Sequence, residues 1–256
     1  MNLKDAIILG FVEGLTEFLP ISSTGHLILT AHMLGLPHDN FTKSFEISIQ
    51  LGAILAILLL YTKRLVSELE IWKRIIVAFV STGILGFTFY RFIKAYLIGN
   101  DLVVVVSLIV GGLFLLFADR WCERFCYIQQ IQDMPLRKAF FIGLFQSLAM
   151  VPGVSRSGAT IVGGMLMGLS RKQSAEFSFL LAIPTMLTAT AYDLYKSHSQ
   201  FSVQEFHLLG VGFFTSFLTA MITVKLLLRF ISTHSFIPFG IYRILLGLIY
   251  SYFFLL

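Results

Sequence analysis

Long apolar runs alternate with short polar loops along the whole chain, and two of the runs are interrupted by polar residues. A helix needs about 20 mainly apolar residues to cross about 30 Å of hydrocarbon. Six uninterrupted runs meet or nearly meet this length: 45–61, 75–92, 102–118, 174–192, 206–228 and 236–256. The pattern predicts an all-α polytopic membrane protein with six transmembrane helices.

The first interrupted run holds the sequence EGLTEFLPISSTGH at residues 13–26. Pro20 removes a backbone donor and disfavours helical backbone at Leu19, so a helix is predicted to end there. The three residues 22–24, Ser-Ser-Thr, are typical N-cap residues of a second helix. The run therefore predicts a helix, a break and a helix. The second interrupted run, 139–169, has its break at the sequence VPGVSRSG, residues 151–158.

The two interrupted runs repeat one another at a constant offset of 133 residues. Lys4 corresponds to Arg137 and Glu13 to Gln146, so polar positions also match in register. The identical pairs are Leu3 and Leu136, Ala6 and Ala139, Gly10 and Gly143, Leu15 and Leu148, Ser22 and Ser155, and Gly25 and Gly158. We predict one membrane domain, 1–256, built from a repeat at about 1–128 and another at about 134–256.

Each repeat contains one interrupted run and three full spans. If each interrupted run is a re-entrant helical hairpin, three spans carry the chain across, and the repeats have inverted topology with their breaks near the midplane. The alternative is that both interrupted runs cross the membrane fully. In the re-entrant arrangement one face carries five Lys and Arg residues and the other twelve. Because basic loops face the cytoplasm, both termini and the mouth of the first break are predicted outside.

Composition agrees with a membrane protein: 57% of the residues are hydrophobic and 13% are charged. A soluble domain has about 25% charged residues. Basic cytoplasmic loops account for the net charge of +5, so no nucleic-acid partner is expected. Cys122 and Cys126 lack nearby His residues or a second Cys pair, and they are interpreted as free thiols rather than zinc ligands.

The second break has the composition of an anion site. Helix N-termini present free N–H groups and positive dipole ends, and Arg156 adds a planar fork of donors suited to phosphate. Gly153 lets the backbone come close to a bound group. The predicted phosphate-binding residues are Ser22, Thr24, Gly153, Ser155, Arg156, Ser157 and Thr160.

The first break supplies the reactive groups. Ionisable residues at membrane depth are functional candidates. Ser22 or Ser23 is a candidate nucleophile and His26 a candidate base or acid, while Glu13 and Glu17 share one helical face and could orient these groups or bind a metal. Ser23 attack with His26 as base is the favoured hypothesis, and attack by His26 itself or by water remains open.

Each of these polar residues also has a structural explanation. Serine hydroxyls in membrane helices bond their own backbone, a single His pairs with a carboxylate, and an Arg near a helix break caps carbonyl groups. Arg243, inside the last span, is expected to snorkel or to pair with a neighbour rather than to touch a substrate. Glu46 and Gln50 share a face at the end of their span and are candidates for the mouth of the pocket.

Residues 13–26 resemble the first motif of the bacterial undecaprenyl-diphosphatase family, also called bacitracin-resistance proteins. The sequence PGVSRSGAT at 152–160 is similar to the second motif, and the similarity extends over the whole chain, including FEISIQLGA at 45–53. It implies removal of the terminal phosphate from undecaprenyl diphosphate, which recycles the lipid carrier of cell-wall synthesis. It also implies a site opening outward from the bacterial cytoplasmic membrane, help from a divalent cation, Mg²⁺ or Ca²⁺, and a possible homodimer.

Two other classes of membrane protein fit the sequence less well. Type 2 phosphatidic acid phosphatases need a His a few residues beyond a Ser-Arg pair, and no His occurs between Ser157 and Leu169. A transporter or flippase of an anionic lipid phosphate would also use inverted repeats with midplane breaks. It has little need of Ser23, His26 and two carboxylates together.

Overall fold

The computed structural model describes residues 1–37, 39–97, 99–197 and 203–255. Ten α-helices are found in these ranges: α1 Leu3–Thr16, α2 Ser23–Met33, α3 Asn40–Ser67, α4 Leu69–Tyr96, α5 Asp101–Phe125, α6 Leu136–Ser147, α7 Arg156–Leu166, α8 Arg171–Ser197, α9 Val203–Thr233 and α10 Ile237–Phe254. Two short 3₁₀ turns cover Ile131–Asp133 and Leu148–Met150. The all-α prediction is confirmed, since no strand forms in the described ranges.

Six helices in the described part of the chain are long and apolar enough to cross a membrane, and they are α3, α4, α5, α8, α9 and α10. They coincide with the six predicted spans, although most extend further because their polar ends stay helical. The last predicted span reaches Leu256, which lies outside the described residues.

The first break follows the prediction with one difference. Helix α1 ends at Thr16 with Glu17 as its C-cap, three residues before Leu19. Pro20 cannot donate a hydrogen bond and keeps the preceding residue out of the helical region, so residues 17–21 form turns instead. Helix α2 then begins after Ser22, which is one of the three predicted N-cap residues.

The N-caps of α2 and α7 have the same unusual conformation. Ser22 has φ 72° and Ser155 φ 70°, and these are the positive-φ residues other than glycine in the described ranges. The Ser22 side chain accepts a hydrogen bond from the Gly25 N–H at 3.4 Å, and the Ser155 side chain accepts one from the Gly158 N–H at 3.1 Å. Non-glycine residues in this region are strained and cluster at functional sites.

Close backbone contacts hold the short helices in place. Helix α1 packs on α9, and α6 packs on α4. A Cβ on Gly10 would lie 2.5 Å from the carbonyl oxygen of Gly212, and a Cβ on Gly143 would lie 2.1 Å from that of Ala78. Each short helix therefore needs glycine where it crosses its long partner.

Cys122 and Cys126 form a disulfide bond, so the prediction of two free thiols is wrong. Residues four apart lie on one helical face. Their Cα atoms are 4.8 Å apart, within the range that a disulfide spans. Two Cys residues without nearby His or further Cys residues argue against a metal site, but they do not exclude a disulfide bond.

Candidate active site

The carboxylate of Glu17 connects the two breaks. Its Oε2 accepts a hydrogen bond from the Ser23 hydroxyl at 2.5 Å, and its Oε1 accepts one from Nη2 of Arg156 at 2.9 Å. Glu17 is buried, and Arg156 is mostly buried, with 14% of its side chain exposed. The structure therefore brings together a hydroxyl, a carboxylate and a guanidinium that lie far apart in the sequence.

The guanidinium of Arg156 is held from a second side by α8. Its Nη1 donates to the carbonyl oxygen of Ser178 at 2.9 Å, and its Cζ lies 5.6 Å from the centre of the Phe18 ring. The Thr160 hydroxyl also donates to the hydroxyl of Ser178, at 2.6 Å. These contacts fix the plane of the guanidinium, so its direction towards the first break is set before any ligand binds.

The hydroxyls of Ser155 and Ser157 lie 3.0 Å apart. Ser157 donates to the carbonyl oxygen of Leu19 at 2.6 Å, which links the second break directly to the first. Ser157 thus joins the two breaks, whereas Thr160 joins α7 to α8.

A cavity of about 150 Å³ lies between the breaks. Its wall is formed by Glu17, Ser22, Ser23, Thr24, Gln50, Ala149, Pro152, Gly153, Ser155, Arg156 and Met186. The N-termini of α2 and α7 both reach this cavity, which places two positive helix ends beside Arg156. Seven of the predicted site residues meet here, and Gln50 lines the wall as expected. Among the described residues, Glu13, His26, Glu46, Ser157 and Thr160 are not part of the wall.

His26 lies behind the first break rather than in the cavity wall. Its Nδ1 is 2.7 Å from the carbonyl oxygen of Ser22, and its Nε2 is 2.7 Å from the hydroxyl of Tyr242. Because a carbonyl oxygen only accepts, Nδ1 carries the hydrogen and Nε2 accepts from Tyr242. In this arrangement His26 supports the Ser22 backbone, and the Ser23 hydroxyl bonds to Glu17 instead.

Glu13 is completely buried, and neither of its carboxylate oxygens has a hydrogen-bond partner. The charges of Glu17, Glu46 and Arg156 act on it. A carboxylate in this setting fits a cation, since an unpartnered buried charge is costly. The described residues contain no group of three His, Cys, Asp or Glu side chains that could hold a metal ion. A cation here would need further oxygens, such as those of a bound phosphate.

Three residues at the site were not predicted from the sequence. Ser178 and Met186 contact Arg156 from α8, and Tyr242 contacts His26 from α10. Nothing in the sequence pattern indicates Ser178 or Met186 as site residues, because serine and methionine are ordinary in membrane helices. The adjacent polar residues Tyr242 and Arg243 could have indicated a site, because they lie inside an apolar span. Arg243 does not snorkel, since only 1% of it is exposed.

Comparison with known proteins gives consistent matches. The sequence model of the family described as bacitracin resistance protein BacA matches residues 6–249. The undecaprenyl-diphosphatase of Aquifex aeolicus is 65% identical over 255 residues, covering 100% of both chains. That of Sulfurihydrogenibium sp. is 55% identical over 98% of each chain. That of Thermus thermophilus is 53% identical over 98% of this chain and 97% of the relative.

Proposed function

The chain belongs to the family of the bacitracin resistance protein BacA, and we propose that the cluster of Ser23, Glu17 and Arg156 is its catalytic centre. The protein is an undecaprenyl-diphosphatase of the membrane. It hydrolyses undecaprenyl diphosphate to undecaprenyl phosphate and inorganic phosphate, which recycles the lipid carrier for peptidoglycan synthesis. The observation that carries the proposal for the site is the carboxylate of Glu17, shared by Ser23 and Arg156 across the two breaks.

The reaction proceeds in two steps at this cluster. Glu17 takes the proton of the Ser23 hydroxyl as Oγ bonds to the terminal phosphorus, and the bond from that phosphorus to the bridging oxygen breaks. Undecaprenyl phosphate leaves. Water then attacks the phosphorus of the phosphoserine as its bond to Oγ breaks. Glu17 returns its proton to Oγ, and the hydrogens of the water leave with the inorganic phosphate. The 2.5 Å hydrogen bond favours Glu17 over His26 as the base.

Stabilisation of the transferred phosphoryl group falls to the second break. Arg156 and the first residues of α7 and α2 line the cavity in which charge develops. Ser22, Thr24, Gly153 and Ser155 line the same cavity and supply hydroxyl or close backbone contacts. Because these groups are already oriented by protein contacts, they need little rearrangement during the reaction.

Glu13 and Glu17 would hold a divalent cation, Mg²⁺ or Ca²⁺. Such an ion would neutralise charge on the diphosphate and make the leaving group better. Both Glu17 oxygens already accept hydrogen bonds, whereas both Glu13 oxygens are free of donors. Glu13 is therefore the main ligand in this proposal.

The two short helix pairs are proposed to be re-entrant hairpins of an inverted repeat. Helix α1 has 14 residues and α2 has 11, so they span about 21 Å and about 17 Å, too short for the hydrocarbon layer. Helices α2 and α7 have the same length and begin 133 residues apart. Gly35 and Gly168 follow these helices, both have positive φ, and they are also 133 residues apart.

The site is proposed to open to the outer face of the bacterial cytoplasmic membrane, with both termini outside. The support is the distribution of basic residues, five on the proposed outer face and twelve on the other. The diphosphate would enter the cavity from outside while the polyprenyl chain stays in the lipid. A homodimer is compatible with this arrangement and stays a prediction.

Turnover by the detergent-purified protein tests the function of the site. Purified protein should release phosphate from undecaprenyl diphosphate, which a transporter without a membrane to transport across would not do. Ser23→Ala should abolish this release, while Ser67→Ala, at an exposed hydroxyl that bonds its own helix, should leave it unchanged. Full phosphate release by Ser23→Ala would contradict the assignment.

A further inference from the structure

We propose that Arg243 is a positioning residue that holds the two breaks in register without touching the substrate. Its guanidinium lies at the point where the breaks meet α5. Nη1 donates to the carbonyl oxygens of Val154 at 3.0 Å and Pro20 at 3.4 Å. Nη2 donates to those of Ser107 at 2.9 Å and Gly153 at 3.0 Å. One side chain on α10 thus connects the first break, the second break and α5.

The four terminal N–H donors of Arg243 are all used by these contacts. Each terminal nitrogen has two hydrogens, and four carbonyl oxygens accept them. The remaining donor, Nε, is buried without a partner, and Arg243 does not line the cavity in the described residues. Arg156 lines the cavity and Arg243 does not, so the two arginines have different tasks.

The bonded carbonyls lie immediately before the catalytic groups. Pro20 precedes Ser23 by three residues, and Val154 precedes Arg156 by two. A helix break leaves carbonyl groups without partners, and at membrane depth water does not satisfy them. Because Arg243 binds carbonyl groups of both breaks, it fixes how far Arg156 lies from Ser23 and Glu17.

This link has no equivalent within the internal repeat. The residue 133 positions before Arg243 is Val110, which has no polar side chain. The breaks are also joined directly by the hydrogen bond from Ser157 to the Leu19 carbonyl and by the ion pair of Arg156 with Glu17. Removing Arg243 should therefore leave the breaks joined but displaced.

The inference rests on the proposed function of the site, and the test is kinetic. Arg243→Ala should lower kcat roughly a hundredfold, since misplacement by about 1 Å costs about that much. KM should change by about threefold or less, because Arg243 makes no contact with the substrate. Added guanidinium should restore kcat at least about tenfold, because it can refill the space and bond the same carbonyls, whereas ethylammonium should restore less.

A second variant keeps the test decisive if Arg243→Ala does not fold. A Cβ on Gly111 would lie 2.2 Å from Nη2 of Arg243, so Gly111→Ala displaces the guanidinium without removing it. Its kcat should fall about tenfold or more. Gly83→Ala is the matched control, because a Cβ there meets nothing within 4 Å.

Three results would overturn the inference: unchanged kcat in the folded variants, a loss confined to KM, or no rescue of Arg243→Ala by guanidinium. These results are distinct from failure of the proposed function. If Ser23→Ala is inactive while Arg243→Ala is fully active, only the role of Arg243 is refuted. If Ser23→Ala is active, the catalytic centre itself is wrong.

Discussion

The hydroxyl of Ser23 donates to the carboxylate of Glu17 at 2.5 Å, across the turn that separates α1 from α2. Both side chains are buried, so little water competes for this bond. A serine hydroxyl is a poor nucleophile until a neighbouring base takes its proton. We therefore propose two tasks for Glu17, activation of Ser23 and orientation of Arg156.

Replacement of Glu17 by Gln tests the first of these tasks, activation of Ser23. Glu17→Gln keeps the size of the side chain but removes the base, and kcat should fall by about 10²–10⁴-fold. Phosphate release by purified protein measures this loss. The matched control is Glu68→Gln, at a carboxylate near the end of α3 that pairs with Arg64. Retention of more than about a tenth of kcat in Glu17→Gln would rule out Glu17 as the general base.

Arg156 is expected to require its forked geometry as well as its charge. Arg156→Lys keeps the charge but cannot bond Glu17 and Ser178 in the same way. A buried charged contact is worth roughly 3–5 kcal/mol, so activity should fall about a hundredfold or more in both Arg156→Lys and Arg156→Ala. Arg124→Lys, at an exposed position, serves as control. Wild-type turnover in Arg156→Ala would remove this residue from the site.

Tyr242 tests the part played by His26. If His26 supports the Ser22 backbone, Tyr242→Phe removes one hydrogen bond and should lower kcat by about tenfold or less. The pH dependence of kcat should keep its shape, and Tyr252→Phe, at an exposed ring, should behave as wild type. If instead His26 is the base, loss of the Tyr242 hydroxyl should shift one limb of the pH profile.

Membrane orientation can be tested by labelling single cysteines at both ends of the chain. In a background with Cys122→Ser and Cys126→Ser, cysteine at Asn2 or Leu255 should react with an impermeant maleimide added to intact cells. The distribution of basic residues gives this expectation. Labelling that requires opened cells would reverse the proposed orientation.

The positions of the helices could be predicted from the sequence because they depend on residues that are close together in the chain. Pro20 interrupts the first run, Ser22 caps α2, and six apolar runs form the long helices. The contact between Glu17 and Arg156 was beyond prediction, since it depends on how two distant breaks pack. The pairing of Ser23 with His26 was expected from their three-residue spacing. The structure turns His26 towards Tyr242, a residue on a helix that no local pattern connects to α2.

The central claim is that Ser23 attacks the phosphorus, and trapping of the covalent intermediate tests it most directly. Purified protein is mixed with undecaprenyl diphosphate labelled at the terminal phosphate and quenched in acid during the first turnover. The mechanism predicts a label that is stable to acid, labile to base, located on Ser23 and absent from Ser23→Ala. An acid-labile adduct on His26, or substantial turnover by Ser23→Ala without any adduct, would contradict it.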